Sequence, residues 1–105
     1  MIKNEIKLYS DLLIKVKEGK KKATLRLGIK EYVLGPSLLI SSEDRNDSIT
    51  IFITELSVIR LSEITPKIAK NVGYTSTARL KQKMFAIYPD LTNESFLTYV
   101  KFTKN

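Results

Sequence analysis

The segment GKKKATLRLG, residues 19–28, sets a hydroxyl among cations. Its second half alternates in character. Ala23, Leu25 and Leu27 fall on one side of an extended chain, and Lys22, Thr24 and Arg26 on the other. One face of such a strand packs on a core, and the opposite face presents the Thr24 hydroxyl between two positive charges. Between Lys15 and Arg26, six basic residues (Lys15, Lys17, Lys20, Lys21, Lys22, Arg26) stand against Glu18 alone, a local net charge of +5 in a chain whose formal charge is +7. Clustering of this kind concentrates anions and favours phosphate backbones or acidic surfaces as partners. The plainer reading is a solvated basic turn that serves solubility.

The elements that must position these residues fit in one domain. A chain of 105 residues supports a single core, so residues 1–105 are read as one unit. A hydrophobic content of 43% with 28% charged residues is that of a folded globular protein. The absence of cysteine and histidine excludes disulfides, thiol nucleophiles and zinc sites of the usual type. No tight carboxylate cluster suggests magnesium, so neither a metal nor a cofactor is expected. No apolar run approaches the roughly 20 residues of a membrane span, and the start MIKNEIKLYS lacks the apolar core of a signal peptide. The expectation is a cytoplasmic protein without membrane contact.

Along the chain, LYSDLLIKVKEG carries Leu8, Leu12, Leu13 and Val16 at helical spacing, with lysines in its last turn and Gly19 placed to end it. KATLRL follows as a strand. YVLGPSLLISS reads as a turn at Gly35 and Pro36 and then a short strand, and EDRNDS as a hairpin loop. SITIFITELSVIRL offers one long strand or two, with Ile49, Ile51 and Ile53 alternating against Thr50, Phe52 and Thr54. SEITPKIAKNVG predicts a helix with Thr65 as N-cap, Pro66 at the first helical position and Gly73 at its end. A second helix from about Thr75 aligns Leu80, Met84, Ile87 and Tyr88 on a core-facing stripe and stops at Pro89. SFLTYVKFTK closes the chain as a strand buried on both faces for part of its length. This order predicts an α+β domain, a small, mostly antiparallel barrel with about three flanking helices.

In this order, GKKKATLRLG, YVLGPSLLI, a helix pair ending in LKQKMFAIYPDL, and FLTYVKF resemble the ASCH domain, of the PUA-like superfamily of small mixed β-barrels. The resemblance runs from Leu12 to Lys101 and is greatest to the branch of small amidohydrolases acting on N4-acetylcytidine. In that branch a threonine of the basic turn is nucleophile, a lysine is its activator, and a glutamate from the two-helix region is general acid or base. By motif position the first two fall on Thr24 and Lys21, with Arg26 matching the strand arginine. The implied chemistry is coherent: a hydroxyl is a poor nucleophile until a base takes its proton or a cation stabilises the oxyanion. A lysine serves as that base only when burial or neighbouring charge depresses its pKa, and Lys20 and Lys22 push in that direction. The chain also departs from the pattern. The family glutamate would lie near Asn71 to Tyr74, yet no Asp or Glu occurs from Ile64 to Pro89. Glu31, Glu55 or Glu63 are the alternatives that could reach the cleft from elsewhere in the chain. The residue after Lys21 is changed to Lys22, and the usual Gly-Asp turn reads GPS.

Three functions follow as expectations. The first is an ASCH-type module binding RNA or a modified nucleotide or nucleoside, with Lys20, Lys21, Lys22 and Arg26 meeting phosphates, Thr24 hydrogen-bonding the ligand, and Tyr74 or Tyr32 stacking on a base. The second is an amidohydrolase of N4-acetylcytidine or a similar small amide, with Thr24 and Lys21 catalytic. The third is a protein-interaction domain with a solvated basic turn. The chain is expected to be a monomer or a homodimer, the long apolar final strand offering a dimer edge.

Overall fold

A computed structural model describes residues 1–104. Five strands form one mixed sheet: β1 (Asn4–Leu8), β2 (Ala23–Leu27), β3 (Gly35–Ser41), β4 (Ser48–Arg60) and β5 (Phe96–Lys104). Three helices flank it: α1 (Ser10–Lys17), α2 (Pro66–Val72) and α3 (Thr77–Ile87), with a single 3-10 turn at Leu61–Glu63. The strand order is β1-β3-β4-β5-β2. β1 runs parallel to β3 and every other pairing is antiparallel. A register shift between Ile53 and Glu55 on β4 leaves Thr54 unpaired and bends the sheet, as a bulge does. The α+β barrel-like architecture expected from the sequence is the one observed.

Both faces of the sheet are buried, and this decides where β2 can place its side chains. On one face Ala23, Leu25, Leu97 and Tyr99 pack with Leu80 and Met84 of α3 and Ala69 and Val72 of α2. On the other, Ile6, Leu39, Ile53, Val100 and Phe102 pack with Leu13 and Val16 of α1. Leu13 and Val16 are fully buried, and each contributes about 1.5–3 kcal/mol through its burial. β5 therefore carries buried residues on successive positions, Leu97 through Val100, as its apolar and β-branched run required.

Three expectations change. The residues before the predicted helix, given no element from the sequence, form β1, with Ile6 and Leu8 buried and their neighbours exposed. Leu8 belongs to that strand and not to the helix stripe, because Tyr9 holds the extended N-cap conformation. Leu27, assigned to the core face of β2, is 38% exposed. It sits at the end of the outermost strand, where nothing covers it. Ile87, placed on the core-facing stripe of α3, is 43% exposed and borders the pocket described below.

The helix ends that matter most are set by short-range chemistry. In α1 the chain leaves through Gly19 at φ +78°, with Lys20 N–H donating to the Lys15 carbonyl at 2.9 Å and Gly19 N–H to Val16 at 3.0 Å. In α2 it leaves through Gly73 at φ +101°, with Tyr74 N–H donating to Ala69 at 2.9 Å and Gly73 N–H to Lys70 at 3.0 Å. Both are Schellman caps, in which a left-handed residue turns the chain sharply off the helix. The Thr65 and Ser76 hydroxyls accept from Ile68 N–H at 3.2 Å and Arg79 N–H at 3.1 Å, starting α2 and α3 where the sequence places them.

Candidate functional site

The sheet closes on itself only part of the way. Its edges are β1 and β2, and the Arg26 guanidinium of β2 crosses the gap to the Lys7 carbonyl of β1. A pocket of about 280 Å³ opens along this seam. Lys7, Leu8 and Tyr9 form one wall, and Thr24, Leu25 and Arg26 the other. α3 contributes Leu80, Lys83, Met84 and Ile87, and the end of α2 contributes Val72 and Tyr74.

Lys21 and Thr24 are both buried, 2% and 4% exposed, and both line this pocket. The Schellman cap of α1 sends the chain directly towards the end of α2, so Lys21 Nζ donates to the Val72 carbonyl at 3.0 Å. That carbonyl is one of the orphan acceptors of a helix C-terminus, where a cation is favourable. The segments lie in contact at Gly73, where a Cβ would stand at an ordinary 3.4 Å from Lys21 Cβ. Burial nonetheless dominates the protonation of Lys21. Desolvation, then the charges of Arg26 and Lys15, lower its pKa from 10.5 to about 7.

One terminal nitrogen of Arg26, Nη2, donates to the Lys7 carbonyl, and its Nε is buried without a partner. Buried donors are almost always satisfied, which sets this Nε apart from the other polar atoms of the site. Tyr74 stands at the pocket mouth with the Lys15 ammonium 5.3 Å from its ring centroid. Its hydroxyl pKa is raised by burial and by Asp11, so it remains a proton donor at neutral pH. No carboxylate lines the pocket. Glu63 is used in accepting from Arg60 N–H, while Glu31 and Glu55 are exposed and outside the lining.

Of the six residues proposed from sequence, Lys21, Thr24, Arg26 and Tyr74 come together here. Lys20 and Lys22 are exposed and do not line the pocket. Lys22 is held facing away by its own backbone, whose N–H donates to Asn71 and whose carbonyl accepts from Phe102 N–H. Tyr32 packs beside the core on the α1 side of the sheet, not in the pocket. Sequence reasoning missed Lys7, Tyr9 and Lys83. Lys7 and Tyr9 were hidden with the unrecognised β1. Lys83 could have been found as the residue flanking Met84 on the α3 stripe. Among the described residues no group of histidine, cysteine or acidic side chains could hold a metal, and no helix is long and apolar enough to cross a membrane.

No protein-family model matches the sequence, and no curated protein shows significant similarity to it. Solved structures do. An ASCH domain from Lactobacillus crispatus superposes with a TM-score of 0.80 at 15% identity, over 98% of this chain and 80% of that one. A hypothetical protein gives 0.75 at 18% identity, over 99% of this chain and all of the other, 100%. ASCH from Zymomonas mobilis gives 0.72 at 12% identity, over 97% of this chain and 68% of that one. At such identities the likeness is one of fold, and the fold is that of the ASCH domain.

Proposed function

We propose that the seam pocket binds a nucleotide or nucleoside, its base entering between β1 and β2 and its anionic or carbonyl oxygens meeting Arg26, Lys21 and Lys83. The observation that carries this reading is the buried, unpartnered Arg26 Nε in a pocket bordered by four cations and no carboxylate. The apolar walls from Leu25, Leu80 and Met84 suit a flat ring, and Tyr74 supplies a stacking face at the mouth. A volume of about 280 Å³ lies just under the roughly 300–1,000 Å³ of drug-sized ligand sites and suits a ligand no larger than a nucleoside.

Titration with cytidine and cytidine 5′-monophosphate, followed by amide chemical shifts, tests the proposal. Saturable shifts at Thr24, Arg26 and Tyr74 are expected, lost in Arg26→Met and retained in a Lys20→Gln, Lys22→Gln double variant. Absence of saturable binding refutes it. Equal loss in the double variant points instead to a diffuse basic surface.

A second reading has one observation in its favour. Lys21, its pKa lowered to about 7 chiefly by burial, lines the same pocket as Thr24. It has the protonation state a base needs to take the Thr24 proton during attack on an acyl carbon. The missing carboxylate counts against this hydrolysis, since general acid–base help is worth about 10²–10⁴-fold in rate. Release of cytidine from N4-acetylcytidine, abolished in Thr24→Ala, would favour the hydrolase over the binding module.

A further inference from the structure

The segment IKEYVL, residues 29–34, is unusually apolar for a loop. It joins the end of β2 to the start of β3 and passes over a projecting part of the sheet. β3 pairs with β4 only as far as Ile53, and past the bulge β4 runs on with β5 alone to Arg60 and Phe96. Tyr32 turns inward and packs beside the core on the α1 side. Ile29, Val33 and Leu34 turn outward, 68%, 50% and 56% exposed. Val58 and Phe96, near the free ends of β4 and β5, are each 46% exposed and extend the same surface.

This surface is held in place by hydrogen bonds. Gly28, at φ +86°, turns the chain off β2, and its N–H donates to the Phe96 carbonyl at 2.8 Å. The Thr98 hydroxyl, opposite Val58 in the sheet, donates to the Gly28 carbonyl at 2.7 Å and accepts from Lys30 N–H at 2.9 Å. At the far end of the loop the Asn4 side chain accepts from Val33 N–H at 3.1 Å and donates to the Val33 carbonyl at 2.8 Å. A loop pinned at both ends loses little further freedom when a partner covers it. Neighbouring apolar side chains kept in water on such a loop mark an interaction surface.

The distribution of charge identifies the partner. Around the loop and the adjoining strand ends, Lys3, Lys30 and Arg60 stand against Glu5, Glu31, Glu63 and Glu94, a net of −1 in a chain of +7, so the rest of the molecule carries +8. Phe102 N–H donates to the Lys22 carbonyl and the Lys104 ammonium to the Lys17 carbonyl, which sets the basic stretch at the opposite end of β5 from Phe96, about 25 Å away along the strand. Two copies of so basic a chain repel unless they meet where positive charge is absent and apolar surface is present. The hairpin tip at residues 43–47 is also free of excess positive charge, but it carries no apolar side chain. The edge once expected of the final strand is not available either, since β5 lies between β4 and β2.

We propose that the chain forms a two-fold symmetric dimer through the loop 28–34 and the adjoining ends of β4 and β5. A two-fold contact sets a patch against itself, so it needs both signs of charge side by side. Lys30 and Glu31 supply them, each facing the other residue of the partner. Arg60, 5.4 Å from the Phe96 ring centroid and 3.6 Å from the Glu94 carboxylate, borders the apolar centre with a polar rim, the usual anatomy of an interface. None of the five apolar residues lines the seam pocket, so the contact leaves that pocket open and does not depend on what it binds.

Sedimentation equilibrium over a wide concentration range, at low and moderate salt, tests the proposal. The wild type is expected to pass from one chain to two and no further, and to associate more tightly at moderate salt, where repulsion between the basic bodies is screened. Ile29→Glu, at an exposed position, is expected to weaken the dimer at least ten-fold while the circular dichroism spectrum stays that of the wild type. Lys30→Glu is expected to weaken it too, and Lys30→Glu combined with Glu31→Lys to restore it, a rescue that a contact of the loop with itself provides. A single-chain mass at every concentration overturns the proposal, as does a dimer indifferent to Ile29→Glu. A mass that grows beyond two chains and falls with salt also overturns it, because it marks a head-to-tail contact between this face and a basic one. If Ile29→Glu fails to fold, the charge exchange decides, and absence of rescue refutes the two-fold contact.

Discussion

Lys21 offers the sharpest test of the site, because its burial beside two cations commits it to a pH-dependent stability. Its pKa falls from 10.5 to about 7 on folding, first through burial and then through Arg26 and Lys15. Below about pH 7 both folded and unfolded chains hold the proton, and the folded state bears the full cost of a buried ammonium. Between about 7 and 10.5 only the unfolded chain holds it, so unfolding takes up a proton and stability rises with pH. Above 10.5 the effect is complete. At about 1.36 kcal/mol per pK unit the ceiling is roughly 5 kcal/mol, of which about 2 kcal/mol should appear between pH 7 and pH 9. Urea denaturation of the wild type and Lys21→Met across that interval isolates the contribution, since other groups titrate equally in both. The wild type should gain about 2 kcal/mol relative to the variant as pH rises. Direct observation of the Lys21 Cε resonance should give a midpoint near 7, moving upward in Arg26→Met. Parallel stability curves, or a Cε midpoint near 10.5, would refute the burial argument and with it any role for a neutral Lys21.

Arg26→Met should separate binding from stability. It removes a charge-assisted hydrogen bond to Lys7, worth about 1.5–3 kcal/mol, and a buried unpaired Nε that costs about 1–3 kcal/mol, so the two partly offset and unfolding free energy should change by less than about 2 kcal/mol while nucleotide binding is lost. A fall of more than about 3 kcal/mol in a denaturant titration would make Arg26 a structural clasp. Gly73→Ala should cost about 1–2 kcal/mol through its φ of +101°, because its Cβ meets Lys21 only at ordinary contact distance. Thermal melting measures that loss, and an unchanged midpoint would mean that the cap of α2 relaxes without strain.

How much of this was legible in the sequence depends on the range of the signal. Thr65, Pro66 and Gly73 announce α2 because caps and proline act within one turn, and the structure places each in its expected role. Alternation on β4 was equally readable, with Ile51 and Ile53 buried and Phe52 and Thr54 exposed. The strand β1 was not, since five residues with two buried positions make too short a pattern. Its partner, β3, lies about 30 residues away. Missing β1 had a consequence for the site. Without it, β2 reads as a strand with one wet face, and only the family resemblance separates Lys21 from Lys20 and Lys22. With β1 in place, the Thr24 face becomes the wall of a seam. The three lysines then separate into one buried residue and two exposed ones.

The same seam makes binding and hydrolysis pull Lys21 in opposite directions. An anionic oxygen of the ligand in the pocket favours the ammonium form, because an anion in a desolvated site raises the pKa of a neighbouring lysine. Ligand binding therefore takes up a proton above pH 7, and affinity should weaken as pH rises through that value. A Lys21 that deprotonates Thr24 must instead be neutral, so turnover should increase over the same range. The neighbours of Lys21 favour the first behaviour. Its Nζ donates to the Val72 carbonyl at a helix C-terminus, an arrangement that favours the cation, and no carboxylate lines the pocket to share proton transfer. The cations Arg26 and Lys15, which lower the pKa of Lys21 in the free protein, are also the groups an incoming anion would neutralise. Occupancy of the pocket thus removes part of the cause of the low pKa, and the site regains its full charge when an anionic ligand fills it.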